Sequence, residues 1–307
     1  MFGLNRVLAT TLTVASTIAV TSGVANAGSL HNGWNYAIDS FNDGANLGVV
    51  GPESTYEFYG MAFTEINNSV YIGINSNLSL AGASSGHASD GHIGYGDLFF
   101  NFSGNNAQQT NANSGFYGIR FATNSESLAP ELGVYSNVQG RNIAQTNSGF
   151  KHIKHHRNRV NNHYSGSASL ADMNQSGEAD AYFGNGFDSN WKVPNSIASG
   201  TKIGGINLLD STALSAAGLD FGHFNASGNY TFGFSFDRGL LPTGDFIAHL
   251  FAECINDGLV MKGETSEPIE PTVGPSVPEP GSIAGLAVLA IVGGGSQLRR
   301  RQSLGSN

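Results

Sequence analysis

A strict alternation of apolar with small or polar residues, recurring in short runs, restricts the fold of this chain more than any other property of its sequence. Long helical periodicity is nearly absent. The alternation is clearest late in the chain. Residues 229–237 set Tyr230, Phe232, Phe234 and Phe236 against Thr231, Gly233 and Ser235, and residues 245–254 set Phe246, Ala248, Leu250, Ala252 and Cys254 against Ile247, His249, Phe251 and Glu253. Successive side chains of a strand leave opposite faces, so each run specifies a strand with a core face. Leu241-Pro242-Thr243-Gly244 reads as a turn between them, and Asn256-Asp257-Gly258 before Leu259-Val260-Met261 as a hairpin signal.

The same pattern appears earlier. Residues 55–63 are rich in Tyr and Phe, and Val70, Ile72 and Ile74 then alternate with Tyr71, Gly73 and Asn75. Asn67-Asn68 between them tolerates left-handed backbone angles and predicts a hairpin. Asp97-Leu98-Phe99-Phe100-Asn101-Phe102 and residues 115–122 read as core strands, and 131–138 as a weaker one because Gly133 and Ser136 lower its strand propensity. From 139 to 162 the chain turns polar and basic, which predicts a long loop. A short helix is expected over 211–217, capped by Asp210 or Ser211 and ended by Gly218. Cys254 is the only cysteine, so no intramolecular disulfide can form and the core alone must hold the domain. These signals predict an all-β domain over 28–262, an antiparallel β-sandwich of the jelly-roll kind with one short helix, followed by a Pro- and Glu-rich linker over 263–276.

Both ends read as targeting segments. Residues 1–27 carry Arg6, an apolar run and Ala25-Asn26-Ala27, the small-x-small pattern at which signal peptidase cuts. Residues 277–307 begin with Val277-Pro278-Glu279-Pro280-Gly281-Ser282, continue through an apolar stretch and end with Arg299-Arg300-Arg301. The sixteen residues 283–298 would span about 24 Å as a helix, short of a hydrocarbon core of roughly 30 Å, and the arginines can reach back to the headgroups. Three arginines after an apolar run keep that end in the cytoplasm, so the rest of the chain is expected on the other side of the inner membrane.

The tail resembles the PEP-CTERM sorting signal, with Pro278, Glu279 and Pro280 as the tripeptide and Arg299, Arg300 and Arg301 as the basic stop. The resemblance implies processing by an exosortase near the tripeptide after transient anchoring, and placement at the cell surface or in the extracellular matrix. A permanent C-terminal anchor is the alternative. Trp34-Asn35-Tyr36-Ala37-Ile38-Asp39-Ser40-Phe41, Gly96-Asp97-Leu98-Phe99-Phe100-Asn101-Phe102 and the stretch from Ser235-Phe236-Asp237 to Asn256-Asp257-Gly258 are similar to a cyanobacterial family of exosortase-dependent surface proteins. That family brings no catalytic activity to transfer.

Charge and candidate sites narrow the function further. Four of the fourteen Lys and Arg lie in the terminal segments, which leaves ten against twenty-three Asp and Glu and a formal charge of −13 over 28–280. So acidic a domain is a poor partner for nucleic acid. His152, His155, His156 and His163, among Lys151, Lys154, Arg157 and Arg159, form a candidate for weak transition-metal capture or for an anionic surface, against the plainer reading of a solvated loop. Asp90 and Asp97 around glycine turns, and Glu178, Asp180 and Asp188 around Gly184-Asn185-Gly186, are candidate calcium loops, although turn capping explains them more simply. A carbohydrate-active enzyme would need two carboxyl groups roughly 5 to 10 Å apart, for which Glu57 with Glu65, or Glu253 with Asp237, are the candidates. No hydrolase motif accompanies them. Trp34, Tyr36, Tyr56, Tyr59 and Trp191 could stack on sugar rings, but aromatic residues on strands usually belong to the core. The expectation is a non-enzymatic structural or binding protein, without a cofactor, associated with envelope polysaccharide. The alternatives are a surface-delivered carbohydrate-active enzyme and a calcium-dependent carbohydrate-binding adhesin.

Overall fold

Local hairpins build most of the structure, a computed structural model that describes residues 28–173, 176–183 and 192–269. Twelve strands form two six-stranded antiparallel sheets. In chain order they are β1 Ser29–His31, β2 Trp34–Ile38, β3 Phe58–Ile66, β4 Ser69–Ser76, β5 Leu98–Asn101, β6 Phe116–Arg120, β7 Gly133–Arg141, β8 Ser196–Gly204, β9 Asn207–Asp210, β10 Tyr230–Asp237, β11 Gly244–Phe251 and β12 Gly258–Thr265. The first sheet runs β1-β2-β3-β4-β10-β9 and the second β8-β7-β6-β5-β11-β12. The chain divides into units Met1–Pro268 and Ile269–Asn307, and all of these strands lie in the first.

The turn chemistry explains the register. Asn67 and Asn68 adopt φ of 50° and 63°, which closes β3 on β4 with Ile66 opposite Ser69. Phe251 pairs with Gly258, so the loop carrying Asn256 and Asp257 is wider than a two-residue turn. Neighbours within a sheet are mostly neighbours in sequence. A jelly roll instead interleaves distant strands, and that part of the expected fold is corrected. Only β4 against β10 and β5 against β11 bring distant segments together, and each joins the fourth and fifth strands of its sheet.

The sheets pack face to face. Phe63 meets Phe246 with ring centroids 5.1 Å apart and Phe121 meets Phe234 at 5.2 Å, each pair joining one sheet to the other. Phe232, Phe234 and Phe236 enter this core as the alternation requires, whereas Tyr230 at the strand entrance is exposed. The other face of the second sheet is buried too. His249 and Phe251 of β11 lie under the excursion between β7 and β8, where Ala144, Ile153, Leu170, Met173, Tyr182 and Val193 contribute to a second cluster. The first sheet's outer face carries Trp34, Tyr36 and Tyr59 beneath Leu214 and Phe221.

Helical structure exceeds the single short helix expected. That helix forms over Ser211–Ala216, capped by Asp210. Further helices cover Ala107–Ala112, Ile153–His163 and Ser176–Tyr182. The predicted loop over 139–162 is thus corrected at both ends, because β7 continues to Arg141 and the His-rich stretch is helical. Its buried positions are Ile153, His156 and Val160, one helical stripe in which a histidine takes an apolar place. Two aliphatic residues were too thin a stripe to show as periodicity. The linker also begins later than expected, since β12 reaches Thr265.

Candidate metal centre

Four carboxylates meet where the loops of the two sheets converge. Asp39 follows β2, Asp43 lies in the loop beyond it, Glu57 precedes β3, and Asp257 closes the β11–β12 loop. Their relative exposures are 7%, 0%, 0% and 1%. Asp39, Asp43 and Asp257 each offer an oxygen within 4.8 Å of the others. Among the described residues this is the one such group of three or more potential metal ligands.

Backbone N–H groups hold one oxygen each of Asp39, Asp43 and Glu57 and both oxygens of Asp257. Ala171 N donates to Asp39 Oδ1 at 2.9 Å, Ser169 N to Asp43 Oδ2 at 2.7 Å, Gly44 N to Glu57 Oε2 at 2.8 Å and Phe58 N to Asp257 Oδ2 at 2.7 Å. The Ser169 hydroxyl also donates to Asp39, and Gly258 N donates to Asp257 Oδ1 at 2.8 Å. Asp39 Oδ2, Asp43 Oδ1 and Glu57 Oε1 are buried with no hydrogen-bond partner. Among the described residues, the ion pairs of Lys202, Arg238 and Lys262 go to Glu131, Glu65 and Glu178 rather than to any of the four. Burial raises all four pKa values, and negative neighbours add to the rise at Asp43, Glu57 and Asp257.

The nearby backbone is built around this approach. A Cβ on Gly44 would sit 2.4 Å from Glu57 Cα, so only glycine lets the Asp43 loop close on β3. His156 contributes from outside. Its Nε2 lies 2.9 Å from the Asp43 carbonyl oxygen, which can only accept, so the ring carries its proton there. Burial lowers the His156 pKa to about 4 and keeps the ring neutral, so it supplies no positive charge.

Of the residues singled out by sequence, Glu57 belongs to the quartet and His156 borders it; the others have other surroundings. Asp90 is exposed and accepts from His92 N at 3.0 Å, whereas Asp97 is buried and accepts from Ile197 N at 2.6 Å. They belong to no shared ligand group. Glu178 pairs with Lys262, and Asp188 lies outside the described residues, as do Gly184-Asn185-Gly186 and Trp191. His152 caps the helix by accepting from His155 N, His155 meets Phe150 edge-on, His156 turns inward and His163 ends the helix. The four histidines therefore converge on no common point. Glu65 faces Arg238, while Glu253 is buried and accepts from Gly94 N and Glu126 N, both at 2.6 Å. Asp237 caps a short 3-10 turn by accepting from Gly239 N. Trp34, Tyr36, Tyr56 and Tyr59 are all core residues, and Cys254 is buried with its thiol pKa pushed up to about 12. Ala25, Ala27, Pro278, Glu279, Pro280, Arg299, Arg300 and Arg301 lie outside the described residues.

A separate cleft of about 430 Å³ opens beside β11 and β12, lined by Asn101, Asn105, Tyr182, Asp245, Phe246 and Lys262 among others. No family model, no curated protein and no solved structure matches this chain.

Proposed function

We propose that this chain is an exported surface or extracellular-matrix protein, delivered by signal peptidase and processed by an exosortase at Pro278-Glu279-Pro280. The order of its parts carries this reading. Ala25-Asn26-Ala27, an acidic domain without an intramolecular disulfide, the tripeptide, an apolar run and Arg299-Arg300-Arg301 stand in the sequence that export, transient inner-membrane anchoring and sorting require. The sandwich acts as a structural or binding module rather than an enzyme. Glu65, Glu253 and Asp237, three of the carboxylates a glycosidase could have used, are each taken up by backbone N–H groups or by Arg238, and Glu57, the partner such an enzyme would pair with Glu65, is buried.

Envelope polysaccharide is the partner proposed for the domain. The cleft beside β11 and β12 has a volume suited to a small ligand, and it sets the exposed Asn105 and Asp245 beside the aromatic Phe246 and Tyr182. Such a mixture suits a sugar, with polar groups for hydroxyls and a ring for the apolar face. Intact-mass measurement on surface material from the native host should show loss of residues 1–27 and of nearly everything after Pro280. A retained tail overturns the sorting reading. Glycan-array binding with no turnover of the bound glycan is the expected result for the domain, and turnover would make it an enzyme.

A further inference from the structure

We propose that Asp39, Asp43 and Asp257, with Glu57 beside them, bind one divalent cation of the hard, oxygen-preferring class, calcium before magnesium, and that this ion ties the two sheets together. The site is independent of the export reading, since it uses only residues within the sandwich.

Three observations converge on it. Ligand oxygens on one calcium ion stand about 2.3–2.6 Å from the metal, so any two lie within roughly 5 Å of each other. The 4.8 Å spread of the three aspartates fits that limit. Second, Glu57 lies outside that triad but is buried beside it, accepting from Gly44 N next to Asp43 and preceding Phe58, whose N–H donates to Asp257, and it keeps Oε1 unpartnered. Asp39 Oδ2 and Asp43 Oδ1 are likewise orphaned carboxylate oxygens. A buried acceptor left unpaired is costly, and more so when charged. Third, among the described residues the ion pairs of Lys202, Arg238 and Lys262 go to other carboxylates, and His156 Nε2 faces the Asp43 backbone carbonyl rather than a carboxylate of the quartet.

Ligand type and burial select the ion. All the donors are oxygens, which favours calcium, magnesium and manganese over zinc or copper. Magnesium keeps several waters and demands an octahedron, whereas a fully enclosed set of carboxylates leaves little room for water. The placement gives the ion its work. Asp39 and Glu57 flank strands of the first sheet, and Asp257 belongs to the loop joining the last two strands of the second. A bound ion would supply the cross-link that a chain with a single cysteine cannot make with a disulfide. Enclosure also implies that the ion enters as the strands close, so binding and folding are coupled.

The test uses the full chain, unfolded and refolded in chelator, then titrated calorimetrically with calcium chloride and separately with magnesium chloride. One equivalent of calcium should bind, with magnesium at least tenfold weaker. Asp43→Asn and Glu57→Gln should each weaken calcium at least tenfold while circular dichroism stays that of the parent, and Asp39→Asn serves if either fails to fold. Asp90→Ala should bind as the parent does. Absence of calcium binding by both calorimetry and equilibrium dialysis overturns the site, as does parental affinity in the folded quartet variants. Equal affinity for magnesium overturns the choice of calcium.

Discussion

Two buried charged places in this molecule are treated in opposite ways. At the corner after β10, Arg238 is 1% exposed and its charge is answered within the chain. Its Nε lies 2.7 Å from Glu65 Oε1, out of line for a hydrogen bond but close as an ion pair. Nη1 donates to the Leu241 carbonyl at 2.8 Å, and Nη2 donates to the carbonyls of Pro242 and Ser266. At the quartet, four carboxylates are buried; Asp39, Asp43 and Glu57 each keep one oxygen without a partner, while both oxygens of Asp257 accept backbone N–H groups. Among the described residues, Arg238 stands against Glu65, whereas the ion pairs of Lys202, Arg238 and Lys262 go elsewhere than to Asp39, Asp43, Glu57 and Asp257. The contrast shows that an internal counter-charge lies within this fold's means, and it assigns the quartet's missing charge to an ion from solution.

Removing the self-contained charge should have the larger effect. Arg238→Ala leaves several carbonyls and Glu65 without their cation and should cost about 3–5 kcal/mol. Urea unfolding should give the same loss with calcium and with chelator. A calcium-dependent loss would erase the distinction between the two places.

Asp43→Asn should instead change sign with conditions. In chelator it removes one of several like charges and places an amide donor among unpaired oxygens, so stability should hold or rise. At a calcium concentration about 100 times the dissociation constant, it should forfeit most of the roughly 2.7 kcal/mol that ligand linkage provides. Equal effects under both conditions would contradict the account.

Glu253 tests burial without a metal. Burial raises its pKa to about 7, against the two N–H donors that lower it. The folded chain therefore holds a proton that the unfolded chain has released above about pH 4.3. Its contribution is whole below that value and is lost as pH rises through about 7. Glu253→Gln should flatten this part of the stability–pH profile. It should also cost about 1–3 kcal/mol, because the amide turns a donor toward Gly94 N or Glu126 N. An unchanged pH slope would show that Glu253 does not carry it. The smallest effect belongs to Asp90→Ala, which removes an exposed turn cap and should cost less than about 1 kcal/mol by thermal unfolding, with or without calcium.

The sheets were legible because each strand's alternation is a local property, as in Phe232, Phe234 and Phe236. The Asn67-Asn68 turn was legible for the same reason, since two residues set its geometry. Strand order was not, because the pairing of β4 with β10 depends on segments more than 150 residues apart. The His-rich helix was hidden by its polar composition. The quartet was hidden by dispersion. Asp39 and Asp257 stood inside stretches already singled out, one at the end of an aromatic strand and the other in a turn, but their side chains meet only after both sheets close. Asp39 and Asp43, four apart directly after the strand Trp34–Ile38, are the nearest thing to a signal. Glycine at position 44, required by the approach to Glu57, is a second trace of the packing.

The most direct measurement is the thermal unfolding of the full chain at neutral pH, in millimolar calcium and in chelator. Occupancy at about 100 times the dissociation constant provides roughly 2.7 kcal/mol, which for a domain of this size raises the midpoint by about 5–10 °C. The account predicts that rise, and predicts its disappearance in Asp43→Asn. The same midpoint in calcium and in chelator would contradict it.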